Sequence, residues 1–241
     1  MNVESNNYTI GFGVVMAVLV ALLLAFASNG LSTFQKANIK HEKIVNLFAA
    51  VGQDIKTMEK TEAEALYNKK FTGFMVSNSG EMSGDMSEAF STDMAKAVKD
   101  PIEKQRLPVF VYTNDNGEKQ YVLQSRGNGL WDAIWMYVAL SEDMNTIKGV
   151  VFDHKGETPG LGAEIKDSKT FYSQFSMGKT LFDESGSYTG ISVLKGTGND
   201  AARDSDKVDG ITGATMTCNG VTDMFKNRLS IYANFLKSNK N

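Results

Sequence analysis

Hydrophobic positions divide the chain into one long uniform stretch followed by segments of changing period. From Ile10 to Ala27 every residue is apolar or glycine, and no charged residue lies between Glu4 and Lys36. Tyr8 to Ser28 therefore supplies the roughly 20 apolar residues that a transmembrane helix needs. A cleaved leader is the competing reading, because Ala25-Phe26-Ala27 has the form of a cleavage site. No Lys or Arg precedes the run, and it is longer than a usual signal core, which favours a retained single span. Beyond it, Ile39, Ile44, Val45, Leu47, Phe48 and Val51 recur among Lys36, Lys40, His41, Glu42 and Lys43, so a helix is expected to continue to Gly52. Thr61-Glu62-Ala63-Glu64 has the capping-box form and predicts a short helix to about Lys70.

From Gly73 to Gly84 the composition turns to Ser, Gly, Asn and Met, which reads as a loop. Met75, Met82 and Met86 have no His or Cys neighbour, so they read as adaptable contacts rather than ligands of a soft metal. Met86, Phe90, Met94 and Val98, four apart, predict a helix over 85–98. Strands are then expected at 107–113, 119–125, 133–140, 147–153 and 188–195, the first two joined by the hairpin turn Asn114-Asp115-Asn116-Gly117. A helix is expected over about 167–175. The last runs from Cys218 to Lys237, with Val221, Met224, Phe225, Leu229, Tyr232, Phe235 and Leu236 on one buried face. The expected class is α+β, divided as an N-terminal membrane anchor (1–30), a helical stalk and variable segment (31–106), and a domain with a mostly antiparallel sheet and packed helices (107–241).

Charge and chemistry narrow the function. Lys and Arg number 25 against 28 Asp and Glu, for a net charge of −3; this balance argues against a nucleic-acid partner, which wants a basic face. One cysteine, Cys218, excludes an internal disulfide. At a helix start its thiol pKa could be lowered; the plainer reading is a small buried residue. None of the familiar hydrolase, nucleotide-binding or zinc-protease motifs is present. His41 belongs to the stalk, and His154 stands alone as a structural or solvated residue. Catalytic residues and metal ligands are therefore not assigned.

The informative stretch is Asp209-Gly210-Ile211-Thr212-Gly213-Ala214-Thr215-Met216-Thr217. It leads into the last helix, with Thr217 the natural N-cap and Thr215 at the mouth of a helix start whose unpaired N–H groups suit an anion. Two other glycine-bounded stretches stand out. Arg126-Gly127-Asn128-Gly129-Leu130-Trp131 is a turn ending in a flat apolar ring. Glu157-Thr158-Pro159-Gly160-Leu161-Gly162 is a bent polar loop after the strand at 147–153, the kind of place where a site sits. Within it Glu157 reads as a hydrogen-bonding group more than a general base.

Asp209-x-x-Thr212-Gly213-Ala214-Thr215 resembles the flavinylation motif of proteins that carry FMN through a phosphoester to a Thr or Ser side chain. The continuation Thr217-Cys218-Asn219-Gly220-Val221, the Gly129-Leu130-Trp131 turn, the 157–162 loop and the terminal span are similar to the NqrC family, the C subunit of the Na+-translocating NADH:quinone reductase. The resemblance covers roughly residues 1–50 and 107–237. It implies an FMN-binding domain at 107–241, with covalent FMN on Thr215. Asp209, Thr212, Gly213 and Ala214 would be read by a flavin transferase, and Gly129, Leu130, Trp131, the 157–162 loop and Thr217 would lie about the cofactor. The loop would offer backbone amides, and Leu161 and Trp131 apolar cover. A bound flavin explains why no catalytic constellation is needed. The implied function is an electron-transfer subunit of a membrane complex, passing electrons singly. Its partners would be the other membrane subunits, including a second FMN carrier. NADH oxidation is expected elsewhere, as is the ion path, since the span holds no ionisable residue. The implied location is the bacterial inner membrane with the domain on the periplasmic side, although Lys36, Lys40 and Lys43 after the span point toward the cytoplasm. Two readings remain beside it: the G subunit of an Rnf-type complex, and a membrane-tethered scaffold whose 209–217 loop only caps a helix.

Overall fold

The computed structural model describes residues 5–240 and separates into two compact units, divided between Lys43 and Ile44. Helix α1 (Asn6–Ala50) crosses that division. Its part in the first unit keeps the apolar side chains from Ile10 to Phe26 exposed, and the helix is long and apolar enough to cross a membrane.

The second unit is built on a six-stranded sheet in the order β2-β1-β3-β4-β5-β6. The strands are β1 (Phe71–Ser77), β2 (Met82–Ser83), β3 (Arg106–Thr113), β4 (Lys119–Asn128), β5 (Ala133–Leu140) and β6 (Ile147–His154), and every pairing is antiparallel. Apolar layers cover both faces. On one, Ile44, Leu47, Phe48 and Ile55 pack with Tyr67 of α2 (Lys60–Lys70) against Phe71, Phe110 and Tyr112. On the other, Leu123, Ile134, Met136 and Phe152 meet Phe175, Phe225, Tyr232 and Leu236. A sheet buried on both sides loses the alternation of a half-solvated one. The run Ala-Ile-Trp-Met-Tyr-Val-Ala-Leu in β5 is buried at all positions but Trp135.

The α+β class and the four strands from 106 to 154 are as expected. Several local readings are not. The 73–84 stretch is no loop, since Phe71–Ser77 pairs along its whole length with β3. Its small residues fit close packing: the space a Gly73 side chain would need is taken by Met86 and Ala89. The sheet thus extends upstream of residue 107, and a division there cuts it. The expected 85–98 helix breaks into α3 (Met86–Ser91) and α4 (Met94–Ala97), because the Asp85 and Asp93 side chains each accept a first-turn N–H and start separate turns. The capping box at Thr61 does not form; α2 begins one residue earlier behind Glu59. Residues 164–176 fold as α5 (Glu164–Asp167), α6 (Lys169–Tyr172) and a 3-10 turn (Ser173–Ser176).

Of 188–195 only β7 (Ser192–Val193) is a strand, and it pairs in parallel with β8 (Lys207–Val208). The final helix starts earlier than expected, at α7 (Thr215–Asp223), and continues as a π turn (Met224–Arg228), a 3-10 turn (Leu229–Tyr232) and α8 (Ala233–Ser238). A π turn widens the helix by one residue. The Tyr188 hydroxyl donates to the Phe225 carbonyl of that wider turn at 2.5 Å. Tyr232 is fully buried, its hydroxyl shared between the carbonyls of Pro108 and Gln124, both at 3.0 Å.

Candidate functional site

Three separated segments meet at one end of the sheet: the β4–β5 connection, the loop that leaves β6, and the start of α7. Glu157 ties them together. Its carboxylate, in a residue only 5% exposed, accepts the Trp131 N–H at 2.9 Å and the hydroxyl of Thr217, itself 1% exposed, at 2.5 Å. Burial alone would raise the Glu157 pKa. Hydrogen bonds from the Thr217 hydroxyl and the N–H groups of Trp131, Leu130 and Asp132 outweigh it and hold the carboxyl below its ordinary range. The glycines beside it are there for space. A Cβ on Gly162 would lie 2.5 Å from Thr217 Oγ1, and one on Gly129 would lie 2.5 Å from Glu157 Oε1.

The motif that begins at Asp209 is braced in the same way. The Asp209 carboxylate accepts from the Gly198 N–H at 2.8 Å, the Asn199 N–H at 3.0 Å and the Asn199 side chain at 2.6 Å. Burial would raise its pKa, but these bonds keep it lowered. Gln174 grips the Asp209 backbone on both sides, accepting its N–H at 2.8 Å and donating to its carbonyl at 3.3 Å. The chain then turns at Ile211–Ala214, closed by the Ala214 N–H to the Ile211 carbonyl at 3.1 Å, with Gly213 at φ 82°. That angle suits glycine.

Helix α7 starts immediately afterwards, which corrects the reading of Thr217 as its N-cap. Ala214 precedes the helix with no side-chain cap, and Thr217 lies inside the first turn, where the helix carries its hydroxyl inward to Glu157. The first α7 N–H bonded within the motif-to-helix junction is that of Cys218, to the Ala214 carbonyl at 2.9 Å. The N–H groups of Thr215, Met216 and Thr217 precede it and have no place in the helical ladder. Cys218 is buried, and burial pushes its thiol pKa up rather than down.

Thr215 is exposed and opens on a cleft of about 110 Å³. Gly213, Ala214, Met216 and Thr217 share its near wall; Leu130, Thr158, Leu161 and Gly162 form the far one, with Glu157 at the floor. Leu130, Leu161 and Met216 are 52%, 42% and 58% exposed, apolar groups presented to solvent around one hydroxyl. A smaller hollow of about 20 Å³, between Thr215 and residues 193–196, lies on another side of that residue. A side chain at Gly213 would strike Leu161 Cδ2 at 2.7 Å, so the glycine lets the loop close on the motif. Among the described residues, an exposed hydroxyl, first-turn N–H groups outside the helical ladder and apolar walls suit the phosphate end of an FMN, and these residues fit it.

The residues singled out in the sequence divide into two groups. Leu130, Glu157, Thr158, Leu161, Gly162, Gly213, Ala214, Thr215 and Thr217 line the cleft, whereas Gly129, Trp131, Pro159, Gly160, Asp209 and Thr212 stand behind or beside it. Trp131, 69% exposed, gives its indole N–H to Thr158 Oγ1 at 3.1 Å instead of walling the cleft. Three amides of the 157–162 loop are also spent locally. Those of Glu157, Gly160 and Leu161 donate to His154 Nδ1, Glu164 Oε1 and the Thr158 carbonyl, each at 3.2 Å, because a tight loop must satisfy its own backbone. Sequence reasoning misses Met216, Gln174 and Asn199. Met216 is findable, since it sits between two assigned threonines; Gln174, 35 residues from Asp209, carries no local signal.

Comparison with known proteins finds one domain family, named relatives and solved structures that are similar to this chain. The model of the FMN-binding domain family matches residues 129–230, a span that includes every residue of the cleft. The chain is 32% identical to the C subunit of the Na(+)-translocating NADH-quinone reductase of Vibrio campbellii, over 93% of this chain and 90% of the relative. It is 29% identical to the protein of that name from Pseudomonas aeruginosa, over 92% and 91%. Among solved structures it is similar to the same reductase's C subunit from Parabacteroides distasonis, with a TM-score of 0.73 and 38% identity over 86% of this chain and 96% of that one. It is also similar to NqrC of Shewanella oneidensis, with a TM-score of 0.67 and 27% identity over 83% and 99%.

Proposed function

The chain belongs to the NqrC family, the C subunits of Na(+)-translocating NADH-quinone reductases, and from that premise we propose that it carries FMN esterified through its phosphate to Thr215 and serves as a one-electron carrier between neighbouring subunits. The observation that carries this reading is the contrast between two hydroxyls on one turn. Thr217 is buried and committed to Glu157, whereas Thr215 is exposed at the cleft mouth.

The flavin, when bound, supplies the redox chemistry; the protein holds and shields it. Thr215 Oγ1 forms the ester. The N–H groups of the first α7 turn and the positive end of its dipole offset the charge left on the phosphate. Leu130, Leu161 and Met216 exclude water from one side of the cleft. Glu157 fixes the β4–β5 connection against α7, so the apolar wall and the ester oxygen keep a constant relation. Asp209, Thr212, Gly213 and Ala214 form the segment a flavin transferase reads. In this reading Asp209 acts by holding the 196–199 loop as well as by being recognised.

The chain is anchored in the bacterial inner membrane by α1 with its domain on the periplasmic side, and works within a complex that contains the other membrane subunits, a second FMN carrier among them. NADH oxidation and the ion path belong to those partners. Intact mass and in-gel fluorescence test the ester, on protein co-expressed with a flavin transferase. An added mass of about 438 Da, FMN less water, that disappears in Thr215→Ala supports it. An unmodified chain beside a modified control substrate refutes it.

A further inference from the structure

We propose that the open edge of β6 receives an extended, acidic segment of a neighbouring subunit, which adds to the sheet as a seventh strand; this rests on the reading of the chain as a subunit of a complex. The sheet order ends at β6. Pairing with β5 shows which groups are left over. The Lys155 N–H donates to the Ala133 carbonyl at 3.0 Å, and Asp153 and Val151 stand opposite Trp135 and Tyr137. Antiparallel pairs alternate between bonded and non-bonded. Residues 155, 153 and 151 therefore spend their backbone groups on β5, whereas Val150 and Phe152 turn theirs outward.

The chain covers only the start of this edge. The Ile147 N–H reaches the Lys179 carbonyl at 2.9 Å and Thr146 bridges Thr180. Past that point, among the described residues, the outward groups of Val150 and Phe152 meet no backbone partner. They line a groove of about 530 Å³, flanked by Asn46 to Lys56 on one side and Lys166 to Tyr172 on the other. A groove over unpaired strand groups is the setting for strand addition, in which main-chain bonds supply affinity and the walls supply selectivity.

Charge names the occupant. The walls hold three lysines, Lys56, Lys166 and Lys169, against one carboxylate, Asp54, in a chain whose net charge is −3. Lys166 pairs with Asp153 at 2.8 Å and still keeps 45% of its side chain exposed. Lysines also guard open edges against unwanted pairing. They do so without excluding a partner that brings carboxylates to them.

Amide hydrogen exchange at single-residue resolution separates these roles, on the full chain alone and in the assembled complex. In the complex the Val150 and Phe152 amides are expected to exchange at least about tenfold slower, while those of Val151 and Asp153, already bonded to β5, change little. A segment rich in Asp or Glu on one other subunit is expected to gain protection with them. Lys56→Glu with Lys169→Glu, both at exposed positions, is expected to remove the protection without lowering the melting temperature. Unchanged exchange in an intact complex overturns the proposal and assigns the lysines to guarding alone. Equal protection of the isolated chain by vesicles of anionic lipid overturns it in favour of a membrane surface. A chain that joins no assembly overturns the subunit reading, and this proposal with it.

Discussion

The last helical segment begins in one environment and continues in another. At its first two residues, Thr215 and Met216 face the cleft and solvent; from Thr217 onward, Cys218, Val221, Met224, Phe225, Leu229 and Tyr232 lie in the core between helix and sheet. The second region holds the first in place. Burial of large side chains anchors the helix at many points, so its opening turn can offer an uncommitted hydroxyl and bare N–H groups without being mobile. A site built on a loop alone would lack that support. Thr217 marks the boundary, since it belongs to the helix start by position and to the interior by its bond to Glu157.

Substitutions across this boundary should scale with burial. Phe225→Ala removes a fully buried ring stacked on Phe175 at 5.2 Å and should cost about 3–5 kcal/mol, read as a fall in the denaturation midpoint. Gly162→Ala forces a methyl toward the Glu157–Thr217 pair and should cost about 1–3 kcal/mol. Flavin loading should fall with it, because the strain sits under the cleft floor.

Thr217→Val keeps the shape but leaves a buried carboxylate short of a donor, for a loss of about 1–3 kcal/mol. That loss should depend on pH. The Glu157 pKa is lowered in the folded protein from an ordinary 4.5, so its contribution is present above that value and fades as pH falls below it. The difference between wild type and Thr217→Val should therefore shrink on acidification, as measured by urea melts at pH 7 and pH 3. Thr215→Ala should move stability by no more than about 0.5 kcal/mol, as for other surface changes. It is nevertheless expected to abolish flavin attachment. A large stability loss at Thr215, or none at Phe225, would contradict the division.

Much of this molecule is legible along the chain. The long apolar helix over 8–28, the strands from 106 to 154 and the buried face of the final helix follow from apolar spacing alone. The motif at 209–215 stands out through its resemblance to a flavinylation motif, because a hydroxyl beside small residues at a helix start would by itself fit a plain helix cap as well. Other features are not. The strand at 71–77 is hidden by its glycine, serine and methionine content. Its place between β2 and β3 depends on the space left for Met86 and Ala89. The two-residue β7 pairs with Lys207–Val208, each partner 15 positions further along the chain, and no local pattern announces so short a parallel partner.

The sequence by itself determined the period of each long element, the apolar length of α1 and the order of small and hydroxyl residues in the motif. Each of these depends on neighbours a few positions away along the chain. The tertiary structure alone decided which hydroxyl is free. Thr215 and Thr217 are the same residue type two positions apart. Only the arrival of Glu157, 60 residues upstream of Thr217, commits one hydroxyl to the interior and leaves the other at the cleft. The same holds for Asp209 with Gln174 and for the open edge of β6. Such bonds arise from segments that packing brings together, and spacing along the chain carries no record of them.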